Sequence, residues 1–159
     1  MDRKIIMKRP FKIGLIYLIT LVVMAISPGL QAKEKALAYT FDNTQLTWSA
    51  CPEFIPKGCE ITVLHGDPAK NNTDIFFKVP GNFAIPHHWH TSPERMVLVS
   101  GKLKVTYDNQ ATEILEPGTY AYGPAKLAHT AFCEEGSPCV LFIAFENPID
   151  ALEVIQPTK

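Results

Sequence analysis

Charge is scarce in these 159 residues: Asp, Glu, Lys and Arg make up 19% of them, against 47% apolar residues. That balance excludes a disordered chain, and the length fits one domain. Helical periodicity is scarcer still. Beyond residue 32 no segment sustains a helical stripe, and only residues 149–155 have a pattern compatible with a short terminal helix. Internal repeats, low-complexity tracts and linkers are absent. The one long apolar run, residues 13–26, is too short for a comfortable membrane span and lacks the polar positions of a core helix.

That run has a different reading. Residues 1–12 carry Arg3, Lys4, Lys8, Arg9 and Lys12, Pro28-Gly29 ends the apolar stretch, and the small Ala32 follows. A basic start, a short apolar run and a small residue read as a secretory signal peptide cut after Ala32, with residues 33–159 as one exported domain. An uncleaved membrane anchor is the alternative, because Leu30 suits a cleavage site poorly. No cysteine stands at the cut, so a lipid anchor is not expected. Cleavage leaves ten basic and fifteen acidic residues, a formal charge of −5. Such a surface does not favour nucleic acid or anionic lipid as partners, and leaves membrane contact only to an uncleaved signal segment.

Cys51, Cys59, Cys133 and Cys139 all follow the cut. An even count in an exported chain points to disulfides. Of three pairings, Cys51–Cys59 and Cys133–Cys139 are favoured, because each pair flanks a short Pro- and Gly-containing loop. Neither pair has the CxxC spacing of a zinc site. Cys133 keeps a second option, facing the interior near His129, where a thiolate would favour zinc or copper.

Strand signals fill the remainder. Residues 37–48, 60–64, 75–79, 95–99, 103–107, 112–115, 119–122 and 140–145 are rich in β-branched and aromatic residues. Turn residues separate them, among them Gly66-Asp67-Pro68, Pro80-Gly81-Asn82, Ser100-Gly101 and Pro117-Gly118. Short, evenly spaced strands predict an all-β antiparallel sandwich or barrel.

Three of the five histidines lie within His87-His88-Trp89-His90. Residues two apart in a strand share a face, so His88 and His90 aim together and His87 aims away. Glu94 follows across the bend Thr91-Ser92-Pro93. Two imidazoles and a carboxylate suit iron and related ions and leave coordination positions open. His129 is the candidate fourth ligand, although spacing alone does not bring it to the others.

Residues 81–101 resemble the first motif of the cupins, in which His-x-His, Glu and Gly recur at the spacing of His88, His90, Glu94 and Gly101. Residues 118–129 resemble the second, through Gly118, Pro124 and His129. Lys126 stands where that family usually has glycine, and Cys133 where it often has asparagine. One extra residue separates Gly81 from His88, which leaves His87 as the competing first ligand. The resemblance covers residues ~70–146 and implies a double-stranded β-helix, a jelly-roll cupin barrel. It also implies one divalent transition metal on His88, His90, Glu94 and His129, with iron or manganese favoured and zinc, nickel or copper as options.

Alternation in residues 94–99 points Met96 and Leu98 inward with Glu94, and Arg95 outward toward a surface acid. Ile75, Phe77 and Val79 are expected to face in. Tyr120 and Tyr122 share a parity that offers them to the cavity. Three functions are compatible with such a site. The first is a dioxygenase-like oxidoreductase acting on a small oxygen-bearing organic substrate, with Glu94 as ligand or catalytic proton shuttle. The second is a non-catalytic metal- or small-molecule-binding sensor, resembling the cupin half of some anti-sigma factors. A metal-free carbohydrate-binding cupin is the third, disfavoured by four intact ligand positions. Cupins commonly pair edge strands, so a homodimer is expected.

Overall fold

A computed structural model describes residues 34–155; the signal-peptide reading concerns residues outside that range. From Leu37 onward the described residues form one compact unit. They contain eleven strands and no helix: β1 (Ser49–Ala50), β2 (Glu60–His65), β3 (Thr73–Val79), β4 (Phe83–Trp89), β5 (Glu94–Ser100), β6 (Leu103–Tyr107), β7 (Glu113–Leu115), β8 (Tyr120–Gly123), β9 (His129–Cys133), β10 (Cys139–Phe145) and β11 (Leu152–Glu153). Two antiparallel sheets result, ordered β1-β2-β3-β10-β5-β8 and β11-β4-β9-β6-β7. This is the expected jelly-roll barrel.

Alternation decides which side chains fill it. On β5 Glu94, Met96 and Leu98 are buried while Arg95 faces out and pairs with Glu146. On β3 Ile75 and Val79 are buried and Phe77 packs against the same core. Aliphatic residues of both sheets meet between the layers, as two-layer packing requires.

Three expectations need correction. Residues 37–48 form turns rather than a strand, closed by Asn43 and Leu46 amides donating to the carbonyls of Thr40 and Asn43. Asp42, Asn43 and Thr44 supply turn chemistry where a strand would need alternation. Residues 149–155 do not form a helix. They provide β11, which covers the open edge of β4 at Trp89 and His88; pairing with an unsatisfied edge outweighs weak helical propensity in so short a segment. Tyr120 and Tyr122 do not reach the cavity, being 61% and 53% exposed. They lie opposite Val97 and Arg95, which puts Ala121 and Gly123 on the inward face instead.

Both expected disulfides are present. Cys51–Cys59 and Cys133–Cys139 have Cα separations of 5.5 and 5.8 Å. Cys133 is wholly buried and bonded, so it is no metal ligand. Lys126 shows why glycine is usual at its position: its φ is +63°. A side chain in the left-handed region is disfavoured by roughly 1–2 kcal/mol, partly offset by the chain entropy glycine would lose. Lys126→Gly is therefore expected to stabilise the fold by about 0.5–1 kcal/mol, read as a higher urea midpoint. An unchanged or lower midpoint would contradict the strain assigned to Lys126.

Candidate metal centre

One irregularity in β4 sets the site. Its register with β9 pairs Phe83 with Cys133 and Ile85 with Ala131, then slips before His88 pairs with His129. Strict alternation from Phe83 and Ile85 would have pointed His87 inward. The bulge at Pro86-His87 reverses the parity, so His88 is buried and His87 faces out, where its Nε2 lies 2.8 Å from Asp108 Oδ1. Proline lacks an N–H for the ladder and is tolerated at such bulges. The extra residue between Gly81 and His88 is thus accommodated in the bulge, and His87 does not compete for the interior.

His88, His90 and His129 are 5%, 9% and 6% exposed. Their ligand atoms all lie within 4.8 Å of one another. Glu94, at the start of β5, is also buried. Its Oε1 lies 3.4 Å from His90 Nε2, but the carboxylate does not join the mutual set of three imidazoles. The four residues come from both sheets and meet at one end of the barrel.

Backbone carbonyls fix the imidazoles. His88 Nδ1 lies 2.7 Å from the Pro86 carbonyl and His129 Nδ1 3.4 Å from that of Leu127. His90 Nδ1 donates to the Asp150 carbonyl. A carbonyl only accepts, so each Nδ1 carries the hydrogen and each Nε2 keeps its lone pair. Histidines that bind a metal through Nε2 use that tautomer and that kind of outer support. The donor set therefore fits a divalent transition ion. Asp150 does a second job: its carboxylate accepts from the Thr91 amide at 2.8 Å and the Thr91 hydroxyl at 2.6 Å, tying the loop after His90 to the chain before β11.

The cluster opens on a cavity of about 390 Å³ inside the barrel. Aliphatic and aromatic side chains, including Ile75, Phe77, Leu141 and Ile143, form most of its wall. No lysine or arginine lines it among the described residues. The loop closed by Cys51–Cys59 supplies Pro52 and Ile55 to the wall and Phe54 to the His88 ring, at a centroid distance of 5.9 Å. Two residues were missed in the sequence. Asp150 left no signal there. Tyr107 could have been found from the parity of Leu103, Val105 and Tyr107; its ring lies 4.7 Å from that of His129.

A family model described as the ChrR cupin-like domain matches residues 38–148. No curated protein matches the chain. Among solved structures, the polyketide cyclase RemF from Streptomyces resistomycificus is 20% identical, with a TM-score of 0.60, over 76% of this chain and 87% of that one. Rru_A2000 from Rhodospirillum rubrum, described as a cupin-2 domain, is 10% identical with a TM-score of 0.62, over 77% and 84%. The DMSP lyase DddQ from Ruegeria pomeroyi DSS-3 is 12% identical with a TM-score of 0.61 over 72% of this chain, which spans only 64% of the lyase's length. At these identities the likeness is one of fold.

Burial, then repulsion from His90, lowers the His88 pKa to about 4. Burial, then His88 and His90, lowers that of His129 to about 3. Both imidazoles are neutral at neutral pH, as ligation requires. Burial pushes Glu94 upward, opposed by His90. The linkage signs follow. Below the ordinary histidine value of 6.5 the unfolded chain takes up protons that His88 and His129 refuse when folded, so their contribution to stability falls with pH until about 3–4. Glu94 slopes the other way, because the folded state takes its proton first. In chelator-treated protein, His129→Asn is expected to lose less thermal midpoint than the parent between pH 7 and 4.5, and Glu94→Gln to lose more. Parallel pH profiles for all three proteins would refute this assignment.

Proposed function

The chain belongs to the ChrR cupin-like domain family, and on that footing we propose that it is an exported cupin that binds one divalent transition metal through His88, His90, His129 and Glu94 and acts as a dioxygenase-like oxidoreductase on a small oxygen-bearing organic molecule. One observation carries the reading: three buried imidazoles whose Nδ1 atoms face backbone carbonyls, with their lone pairs left for an ion beside an apolar cavity. Three imidazoles and a carboxylate leave positions open on an octahedral ion, and an ion with open positions supplies Lewis acidity or, if redox-active, dioxygen chemistry. Iron or manganese is the favoured occupant. The largely apolar cavity wall suits a partly apolar substrate. Two disulfides favour an oxidising compartment, which supports export and, with it, the signal peptide.

A second reading is a non-catalytic metal- or ligand-binding sensor. It is favoured by the family match, whose description names a cupin-like domain and no reaction. The lyase and cyclase named by the structural neighbours do not choose between the two, since one fold hosts many chemistries. The edge strands β7 and β8 expose Ile114, Tyr120 and Tyr122, which supports the proposed homodimer.

Metal content after expression without added metal separates the readings. Iron or manganese at one per chain, with oxygen uptake on model diketones or flavonols, is the expected result. Stoichiometric zinc with no turnover across that panel would favour the sensor and sink the enzyme. His90→Ala is expected to abolish metal occupancy while the circular dichroism of the barrel persists; retained occupancy would refute the ligand assignment.

A further inference from the structure

Beside the histidines one polar group stands without a role. The Tyr107 hydroxyl oxygen is buried and has no hydrogen-bond partner, alone among the buried side-chain polar atoms of the described residues. A buried O–H without an acceptor is costly, so such an orphan in a native fold calls for an explanation. The oxygen is shut off from bulk solvent.

Gly123 shows which group lies within reach. A methyl group at residue 123 would come within 2.4 Å of Tyr107 Oη and 3.1 Å of Glu94 Oε2. The hydroxyl and the carboxylate therefore flank one small gap, which the absence of a side chain keeps open. Gly123 is not among the residues with positive φ, so the glycine serves space rather than backbone conformation. Glu94 and Gly123 are direct partners across β5 and β8, and Tyr107 is the direct partner of His129 across β6 and β9. Each strand pair delivers one ligand candidate and one side of the gap. The other carboxylate oxygen, Oε1, already lies on the imidazole side, 3.4 Å from His90 Nε2.

We infer that Tyr107 is a positioning residue for Glu94: its O–H donates to Oε2 when Oε1 is drawn to an ion among the three imidazoles. This rests on the metal-binding reading above. Ligating carboxylates need such a donor to hold their orientation, and losing outer-shell partners typically weakens metal binding about 10- to 100-fold. Tyr107 thus converts a three-histidine cluster into a four-ligand centre.

The test uses the full chain, stripped with chelator and titrated with Co²⁺, whose visible absorption reports coordination. The parent is expected to bind one Co²⁺ per chain. Tyr107→Phe is expected to bind the same number with about 10- to 100-fold weaker affinity and an altered spectrum. Its metal-free thermal midpoint should equal or exceed the parent's, because an unpartnered polar group has been removed. In a Glu94→Gln background the same substitution should cost no further affinity. Parent-like affinity and spectrum in Tyr107→Phe would overturn the role of Tyr107 while leaving the metal site standing. An equal further loss in the Glu94→Gln background would overturn the route through Glu94. A parent chain that binds no Co²⁺ would overturn the metal site itself, and Tyr107's role with it.

Discussion

Three imidazoles buried at the end of an apolar barrel can share that space only if each has an acceptor for its Nδ1 hydrogen. A buried imidazole without one would carry an unpaired donor, and two charged neighbours would repel at a low local dielectric. Main-chain carbonyls of Pro86, Leu127 and Asp150 meet that need. The rest of the site follows from where those carbonyls lie. Two belong to the same strand approaches as their histidines, two residues upstream, so a local backbone course supports His88 and His129. The third comes from sixty residues downstream of His90 and requires the chain to return along β4. That return is β11, whose pairing with His88 and Trp89 holds Asp150 against the loop after His90.

Much of this was legible in the chain and some was not, for physical reasons that differ by residue. Short alternating runs identified most strands, because burial between two sheets imposes a period of two. The same rule gave Met96 and Leu98 their inward direction and Arg95 its outward one. It failed for Tyr120 and Tyr122. Aromatic residues at strand spacing look inward by hydrophobicity, yet here the inward positions are Ala121 and Gly123, and at residue 123 Tyr107 and Glu94 occupy the space a side chain would need. Local crowding from another sheet leaves no trace in the pattern of a single strand.

His88 and His129 were legible in another way. Spacing from Glu94 and Gly101 favoured His88 over His87, whereas a period counted from Phe83 would have chosen His87. The bulge at Pro86-His87 reconciles the two counts. His129 rested on family resemblance, since only the pairing of β4 with β9 brings it beside His88. Asp150 could not be read at all in its support of His90. It acts there through a carbonyl that every residue type carries, so the sequence holds no mark of it.

The placement of these groups also bears on why the cavity is apolar. Sheet faces deliver aliphatic side chains along the length of the barrel, and polar groups gather only where strand ends, a bulge and two loops bring carbonyls inward. A ligand entering this cavity therefore meets one polar end and one apolar body. Among the described residues no lysine or arginine lines the wall to neutralise a second negative charge, and Glu94 and Asp150 would oppose one. The proposed substrate, a compact molecule with a single oxygen-bearing head, would fit that division, whereas a polyanion would bring charge into a wall with nothing to pair it. On the proposed metal-binding reading, selectivity would arise from the walls as much as from the ion: the polar end would set which atoms approach the imidazoles, and the aliphatic body what those atoms are attached to.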